Sequence, residues 1–246
     1  MPLGWMSILV FLVAVLYSSI GFGGASSYLA VMSLFNVTPA FASTIALTLN
    51  ILVAGIAFLN YYRRKFFRWD LLWQFLVTSI PAAFLGGMIK LSPSLYALLL
   101  DGVLLYVALR LFLMPSTTHS EDESFQSPKT IIALAAGAIL GLMSGMIGIG
   151  GGIFLSPLII LAKWGTAKQA AAVSAAFIVI NSLSGLIGRA LSGSLDYGTY
   201  GIIFVAVGIV GGYLGSYWGS KRLSSRGVQI LLGVVLLVVV GRNLLK

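Results

Sequence analysis

The residues of this chain that could do chemistry centre on a glycine cluster that occurs twice. Residues 20–24 (IGFGG) recur as residues 147–151 (IGIGG), each time inside an apolar stretch long enough to cross a bilayer. Glycine lets a backbone reverse sharply at low steric cost, and irregular backbone at membrane depth is tolerated only where it faces a cavity or is buried in protein. A helix that restarts after such a break presents free N–H groups, which bind anions with the help of the helix dipole.

Polar side chains near the two clusters extend this candidate anion site. Hydroxyl groups in or near the first turn of each restarted helix would add donors, and two asparagines inside apolar helices need partners that a substrate could provide. The alternative is that the glycines only allow close packing and that the asparagines hydrogen-bond between helices. The predicted substrate-binding residues are Gly23, Gly24, Ser26, Ser27, Asn50, Gly150, Gly151, Gly152, Ser156 and Asn181.

A second set of glycines has a different spacing. These glycines recur every fourth residue, which places them on one face of a helix and is typical of helices whose backbones approach closely in membranes. We interpret this set as packing residues: Gly137, Gly141, Gly145, Gly211, Gly215 and Gly219.

Two charged residues lie in apolar surroundings and are candidates for coupling or gating. Asp101 falls about 10 Å from the start of its helix at 1.5 Å per residue, and a carboxyl at that depth is costly and functional by default. It would carry a coupling proton, pair with a basic residue such as Arg189, or be a structural acid that reaches water. Arg189 would attract anions at a vestibule, or extend from a helix end towards water.

The composition predicts a protein embedded in a membrane. Hydrophobic residues make up 59% of the 246 residues, charged residues only 9%, and the mean hydropathy is +1.03. Soluble domains carry about 25% charged residues, and runs of about 20 apolar residues read as membrane helices. The net charge of +9 does not indicate nucleic-acid binding, because the basic residues sit mostly in short loops, where they encode orientation.

Several kinds of chemistry are excluded or disfavoured. The chain has no cysteine, which removes disulfides, thiolate metal sites and cysteine nucleophiles. His119 is the one histidine, and without companions it is a poor metal ligand. No nucleophile–base pair and no ATP-binding loop are recognisable in the sequence. We therefore expect neither an enzyme, nor a primary pump, nor a metal or other cofactor.

The apolar segments divide into two halves of similar plan. The first half, residues 1–113, and the second half, residues 129–246, are separated by a polar linker at 114–128. Each half is expected to hold a glycine-broken helix followed by three membrane helices, which makes the fold an all-α polytopic membrane protein. The N-terminal stretch is interpreted as a retained first helix because no basic residues precede it. The predicted helices cover roughly 5–20, 25–35, 38–62, 71–89, 94–113, 130–147, 153–162, 167–191, 198–219 and 227–245.

The halves can be superposed on one another in sequence. The two glycine clusters match, and Asn50 falls on Asn181 and Ser43 on Ser174 if the preceding loop is four residues longer in the second half. Farther along, Gly86-Gly87 falls on Gly211-Gly212, and Arg110 on Arg242. Internal repeats with broken helices are typical of secondary transporters, in which the breaks form the substrate site.

The positions of the basic residues favour one of two topologies. If each broken helix counts as one crossing, 9 of the 15 Lys and Arg residues lie on one side. If each glycine break is instead a turn, 11 of the 15 lie on one side, and only Lys90, Arg189, Arg242 and Lys246 lie on the other. The positive-inside rule favours the second arrangement. It makes the halves inverted repeats with both termini outside.

The second cluster and its flanks resemble a known family signature. Residues 144–158 (SGMIGIGGGIFLSPL) are similar to the glycine-rich signature of the sulfite exporter TauE/SafE family, and the resemblance extends over essentially the whole chain. The first half departs from the signature, with Ala25 in place of the glycine at 152 and Ala30 in place of Pro157. The resemblance implies passage of small sulfur-containing anions such as sulfite or organosulfonates, usually outward.

Together these features predict a secondary transporter or uniporter for small anions in the cytoplasmic membrane of a prokaryote. The alternatives are an anion channel, and a membrane enzyme or assembly factor that uses the cavity for a lipid or a protein. The expected partners are a small anion, the lipid bilayer and, as one option, a second copy of the chain. No nucleic acid is expected.

Overall fold

The computed structural model describes residues 3–19, 25–113, 128–219 and 225–245. Within these ranges the regular structure is entirely α-helical, without a strand, and the predicted helices are confirmed. The helices are α1 (Leu3–Ser19), α2 (Ala25–Leu34), α3 (Pro39–Arg63), α4 (Trp69–Met88), α5 (Pro93–Leu113), α6 (Thr130–Ile147), α7 (Gly152–Leu161), α8 (Ala167–Leu191), α9 (Gly201–Gly219) and α10 (Ser225–Leu244). The first glycine cluster at 20–24, with Gly23 and Gly24, lies outside the described residues, as does the predicted linker up to residue 127, with His119.

Five of the described helices, α3, α4, α5, α6 and α8, are long and apolar enough to cross a bilayer. Many of their large apolar side chains face outward, as Leu98 and Ile131 do, which is the arrangement expected when the surrounding solvent is lipid. The chain is therefore a polytopic membrane protein.

The starts of α3 and α8 show how the two halves correspond. Thr38 and Thr166 each cap their helix by accepting a backbone N–H from the third helical residue, which satisfies one of the free donors of the first turn. Both helices have 25 residues, but the loop that precedes α8 is one residue longer than the loop that precedes α3, not four. The predicted match of Asn50 with Asn181 is therefore wrong. Counted from the caps, Asn50 corresponds to Ile178, and Asn181 lies three residues farther along.

The glycines spaced by four form two helix–helix seams. A Cβ atom added at Gly137, Gly141 or Gly145 of α6 would lie 2.3, 2.4 or 2.0 Å from a backbone carbonyl oxygen of α4. On α9, a Cβ at Gly215 would lie 2.1 Å from the carbonyl oxygen of Val15 in α1. The packing interpretation is confirmed at these positions, and the surroundings of Gly219 lie outside the description.

These seams interlock the two sequence halves. Helix α6 of the second half packs against α4 of the first, and α1 of the first half packs against α9 of the second. Two further pairs, α3 with α8 and α5 with α10, also join helices of different halves. The most extensive helix–helix contacts therefore join the two halves.

The helices define two ends of the bundle. At the first, here called the cavity end, Thr38 before α3 donates a 3.1 Å hydrogen bond to Asp196 after α8. At the second, the basic end, Arg68 before α4 donates to the carbonyl of Trp164 after α7, at 3.1 Å. Helices α4 and α6 run parallel from the basic end, so α6 and α7 form a hairpin that leaves this end and returns to it.

Candidate functional site

The second glycine cluster is a tight turn between α6 and α7. Gly148, Gly150 and Gly151 have φ angles of +93°, +78° and +72°, a left-handed conformation that costs other residues about 1–2 kcal/mol each. The predicted break is confirmed here. It reverses the chain in the interior of the bundle, where Gly150, Gly151 and Gly152 are all buried.

The turn is wedged between α3 and α8. A Cβ atom at Gly148 would lie 2.8 Å from the Cα of Ser43, and a Cβ at Gly150 would lie 2.9 Å from Nδ2 of Asn50. On the opposite side, a Cβ at Gly152 would lie 2.8 Å from the carbonyl oxygen of Ser174. The structure thus brings Asn50 and the second-half glycines together.

The carboxyl end of α6 is fully capped by donors. Its last four carbonyls have no partner within the helix. The carbonyl of Ser144 accepts from the N–H of Gly148 at 2.9 Å. Nη2 of Arg189 donates to the next two carbonyls, at 3.0 and 2.9 Å, and the Tyr96 hydroxyl donates to the carbonyl of Ile147 at 3.3 Å.

Two more donors neutralise carbonyls around the turn. Nδ2 of Asn50 donates to the carbonyl of Gly148 at 3.2 Å. On the other side, Nη1 of Arg110 donates to the carbonyl of Ile153 at 2.9 Å. The turn is therefore bracketed by two guanidinium groups, Arg189 before it and Arg110 after it.

The amino end of α7 is open by contrast. Among the described residues, no acceptor takes the N–H groups of residues 150–153. Such buried donors each cost about 1–3 kcal/mol when they are left unpaired. Capped carbonyls and free N–H groups together make the turn a concentration of positive partial charge, which is suited to an anion.

Asn181 and its neighbours on α8 are buried but differently engaged. The Asn181 side chain is fully buried and donates to the carbonyl of Phe177 in its own helix at 2.8 Å, which leaves its Oδ1 without a partner in the described structure. The hydroxyls of Ser174 and Ser182 are likewise buried and unpartnered there. Ser156 is buried in the second turn of α7.

Two further candidates of the first half lie in α2. Ser26 and Ser27 are buried in α2, which packs mainly against α1, α3, α5 and α10. Gly23 and Gly24 lie outside the described residues. The described hydrogen bonds at the second cluster therefore come from Asn50, Tyr96, Arg110 and Arg189.

Asp101 is buried, with 8% of its surface exposed. Its Oδ1 accepts from Nδ2 of Asn243 at 2.8 Å, and the same amide donates to the hydroxyl of Ser33 at 2.8 Å. Of the alternatives for Asp101, the pairing with Arg189 is wrong, because α5 turns Asp101 towards α10 and α2 while Arg189 reaches the end of α6.

A cavity of about 320 Å³ opens beside the turn at the cavity end. It lies between the start of α3, the loop that joins α4 to α5, and the end of α8. Its polar and charged lining includes Ser43, Lys90, Tyr96, Arg189 and Ser194.

Sequence reasoning missed three contributors, Lys90, Tyr96 and Arg110. Nothing in the sequence around Tyr96 indicates its role, because it donates to the end of α6, a helix that begins 34 residues later. For Arg110 the sequence holds a weak indication, since Arg110 and Arg242 fall at matching places in the two halves. Arg242 likewise donates to a carbonyl of the short helix of the opposite half, that of Leu34, at 2.6 Å.

Comparison with known proteins identifies the family. The sequence model of the sulfite exporter TauE/SafE family matches residues 6–243, nearly the entire chain. The chain belongs to this family. A probable membrane transporter protein of Sinorhizobium fredii is 33% identical over 238 residues, which cover 95% of this chain and 94% of the relative.

More distant relatives match shorter stretches. A probable membrane transporter protein of Methanocaldococcus jannaschii is 33% identical over 96 residues, covering 39% of this chain and 35% of the relative. One of Bacillus subtilis is 25% identical over 108 residues, covering 44% and 39%. No solved structure matches the chain. As a TauE/SafE protein with several apolar helices, the chain is a multi-pass membrane transporter and not an enzyme.

Proposed function

We propose that this TauE/SafE protein is a secondary transporter that exports small anions, of the sulfite or organosulfonate type, across the cytoplasmic membrane of a prokaryote. The observation that carries the proposal is the asymmetry of the α6–α7 turn. The carbonyls at the end of α6 are capped by donors, whereas the N–H groups of residues 150–153 have no acceptor among the described residues.

This asymmetry favours an oxyanion over a cation or a neutral solute. A cation would need the carbonyl oxygens that Arg189, Tyr96 and Asn50 already occupy. An oxyanion would accept from the free N–H groups, and hydrogen bonds to charged groups contribute about 1.5–3 kcal/mol each. The site therefore has the chemistry to hold a sulfur oxyanion without a metal ion.

The proposed mechanism is alternating access between inverted repeats. Helix α6 begins and helix α7 ends at the basic end, so the turn of this hairpin points towards the cavity end. Helix α1 runs parallel to α9, which places its start at the cavity end. Met6 near the start of α1 lines a pocket with Phe35 and Thr38, which follow α2. The start of α1 and the end of α2 therefore both lie at the cavity end. Paired hairpins of opposite direction support a pathway that can open to either side. The positive-inside rule places the basic end in the cytoplasm, with Arg63, Arg64, Lys65, Arg68, Lys163 and Lys168.

Single cysteines test this topology in a chain that has none of its own. We expect Arg64→Cys and Lys221→Cys to react with an impermeant thiol reagent only from the cytoplasmic side, and Ser194→Cys only from the opposite side. Lys221 lies outside the described residues, so its expected side comes from the charge pattern alone. Reaction of positions 64 and 221 from opposite faces would rule out inverted repeats.

Counterflow in proteoliposomes tests the function itself. Purified protein is reconstituted with unlabelled sulfite inside, and entry of ³⁵S-sulfite is followed under anaerobic conditions. A carrier gives saturable uptake that the internal anion accelerates. A channel gives uptake that the internal anion does not accelerate, and an assembly factor gives none above that of protein-free liposomes. Either of these last two results contradicts the proposal.

The two buried asparagines provide a matched pair of variants. We expect Asn50→Leu to raise the half-saturating anion concentration at least tenfold, because it leaves the carbonyl of Gly148 uncapped beside the anion. A loss of about 1.4 kcal/mol, within the range for an unpaired buried group, corresponds to that factor. Asn181→Leu makes the same change of side chain at equal burial. Its effect should stay below threefold, since the Asn181 amide donates within its own helix. Equal effects would remove Asn50 from the site.

A further inference from the structure

The cavity beside the glycine turn has the properties of a second anion site. Its volume is about 320 Å³, well above the roughly 30 Å³ that one water molecule occupies in the liquid. That is room for a sulfur oxyanion or a short alkyl sulfonate with part of its hydration shell. Two cationic residues, Lys90 and Arg189, line the cavity, and no carboxylate is among its lining residues.

Arg189 supplies an unsatisfied charge to this cavity. The residue is 4% exposed, and its described hydrogen bonds all leave from Nη2. Its Nε is buried and has no acceptor in the described part of the chain. A buried guanidinium without a counter-charge is costly, since the interior does not replace the water it loses. An anion in the cavity would supply the missing counter-charge.

The surrounding charges leave the potential positive. Asp196, in the loop after α8, lines the adjacent pocket and already accepts from the Thr38 hydroxyl and the N–H of Gly198. Lys90 is exposed at the end of α4. No described acid forms an ion pair with Lys90 or Arg189.

The cavity also adjoins the glycine turn. Met146, whose carbonyl accepts from Arg189, lines the cavity, and so does Ser43, against which Gly148 packs. We propose that this cavity is an anion-loading site, in which Arg189 and Lys90 hold a sulfur oxyanion or sulfonate before it reaches, or after it leaves, the turn. The inference rests on the proposed function, since it gives the transported anion a second place to bind.

The charge preference of the cavity can be measured without transport. Ser194, which lines it, is replaced by cysteine, and purified protein is treated with an anionic or a cationic methanethiosulfonate. Rates are normalised to those of a small free thiol. We expect the anionic reagent to react at least tenfold faster at position 194, and methanesulfonate to slow it at least threefold. The matched control, Gly4→Cys on an exposed position at the same end, should show neither effect.

Charge-removing variants assign the effect to the proposed residues. In the Ser194→Cys background, Lys90→Gln and Arg189→Gln should each reduce the preference for the anionic reagent. Arg189→Lys keeps the charge and should retain most of the preference, even if its packing is disturbed. Equal normalised rates for the two reagents, no protection by methanesulfonate, or no reaction at all would each overturn the inference. Because this assay does not measure uptake, an anionic preference without counterflow would contradict the proposed transport and leave the cavity as an anion-binding site without a loading role.

Discussion

Replacing Gly150 with alanine is expected to lower the initial rate of anion uptake at least a hundredfold. Gly150 has a φ angle of +78°, and a Cβ there would lie 2.8 Å from Cγ2 of Ile178 and 2.9 Å from Nδ2 of Asn50. The added methyl group would push the Asn50 amide from the carbonyl it caps and close the space in front of the free N–H groups. Uptake by proteoliposomes, normalised to the amount of inserted protein, measures the effect.

A control separates the loss of the site from the loss of the fold. Gly102→Ala adds the same methyl group to α5, where no atom lies within 4 Å, and alanine is favoured over glycine in a helix by about 1 kcal/mol. This variant should transport normally. The left-handed strain at Gly150 is only about 1–2 kcal/mol, so the variant should still fold. Uptake within threefold of the unmodified protein would show that the turn is not the anion site.

The same prediction extends to bulkier replacements. Gly151→Leu should also abolish uptake, since even a Cβ there would lie 2.8 Å from the ring of Phe177. Gly24→Leu is expected to act likewise from the duplication of the sequence, although Gly24 lies outside the described residues. If Gly24→Leu transports normally while Gly151→Leu does not, the second half alone forms the site.

Asp101→Asn is expected to abolish accumulation driven by a pH gradient while sparing anion exchange at equal pH. Asp101 is the acid that lies deepest within a described apolar helix, and through Asn243 it is linked to Ser33 at the end of α2. Gain or loss of a proton would therefore change a contact between α5, α10 and the short helix of the first half. Asparagine keeps the size of the side chain and an oxygen acceptor but cannot titrate.

Two assays with the same proteoliposomes check this prediction. Accumulation is measured with an imposed pH gradient, and exchange is measured with equal pH on both sides. Asp70→Asn is a suitable control, because Asp70 pairs with Arg68 at the exposed start of α4. If Asp101→Asn still accumulates anion at the normal rate, Asp101 is structural. The driving force would then be the membrane potential acting on the charge of the anion, protonation of the anion, or another ion.

Local features of this protein could be predicted from sequence, because each depends on neighbouring residues. Apolar runs predict the helices, and three glycines in four residues predict the turn at 148–151. Glycines four residues apart predict the helix–helix seams. The partners of long side chains could not be predicted in this way. Arg189 reaches the end of a helix 43 residues earlier, and the cavity combines loops from three distant parts of the chain. The match of Asn50 with Asn181 was wrong because it aligned two residues of the same type. The helix caps Thr38 and Thr166, which define the correct alignment, were not used.

The interlocked seams also constrain how such a protein can have arisen. In α6 a Cβ atom at residue 137, 141 or 145 would collide with the backbone of α4, which belongs to the other half. An ancestral protein of half the length would have exposed this glycine-lined face of α6 unless a second copy of the protein covered it. If the two halves arose by duplication, the ancestral gene product would have been an obligate dimer in which each copy covered this face of the other, and gene fusion would have made the arrangement permanent. The differing signatures of the halves would then reflect divergence after the fusion.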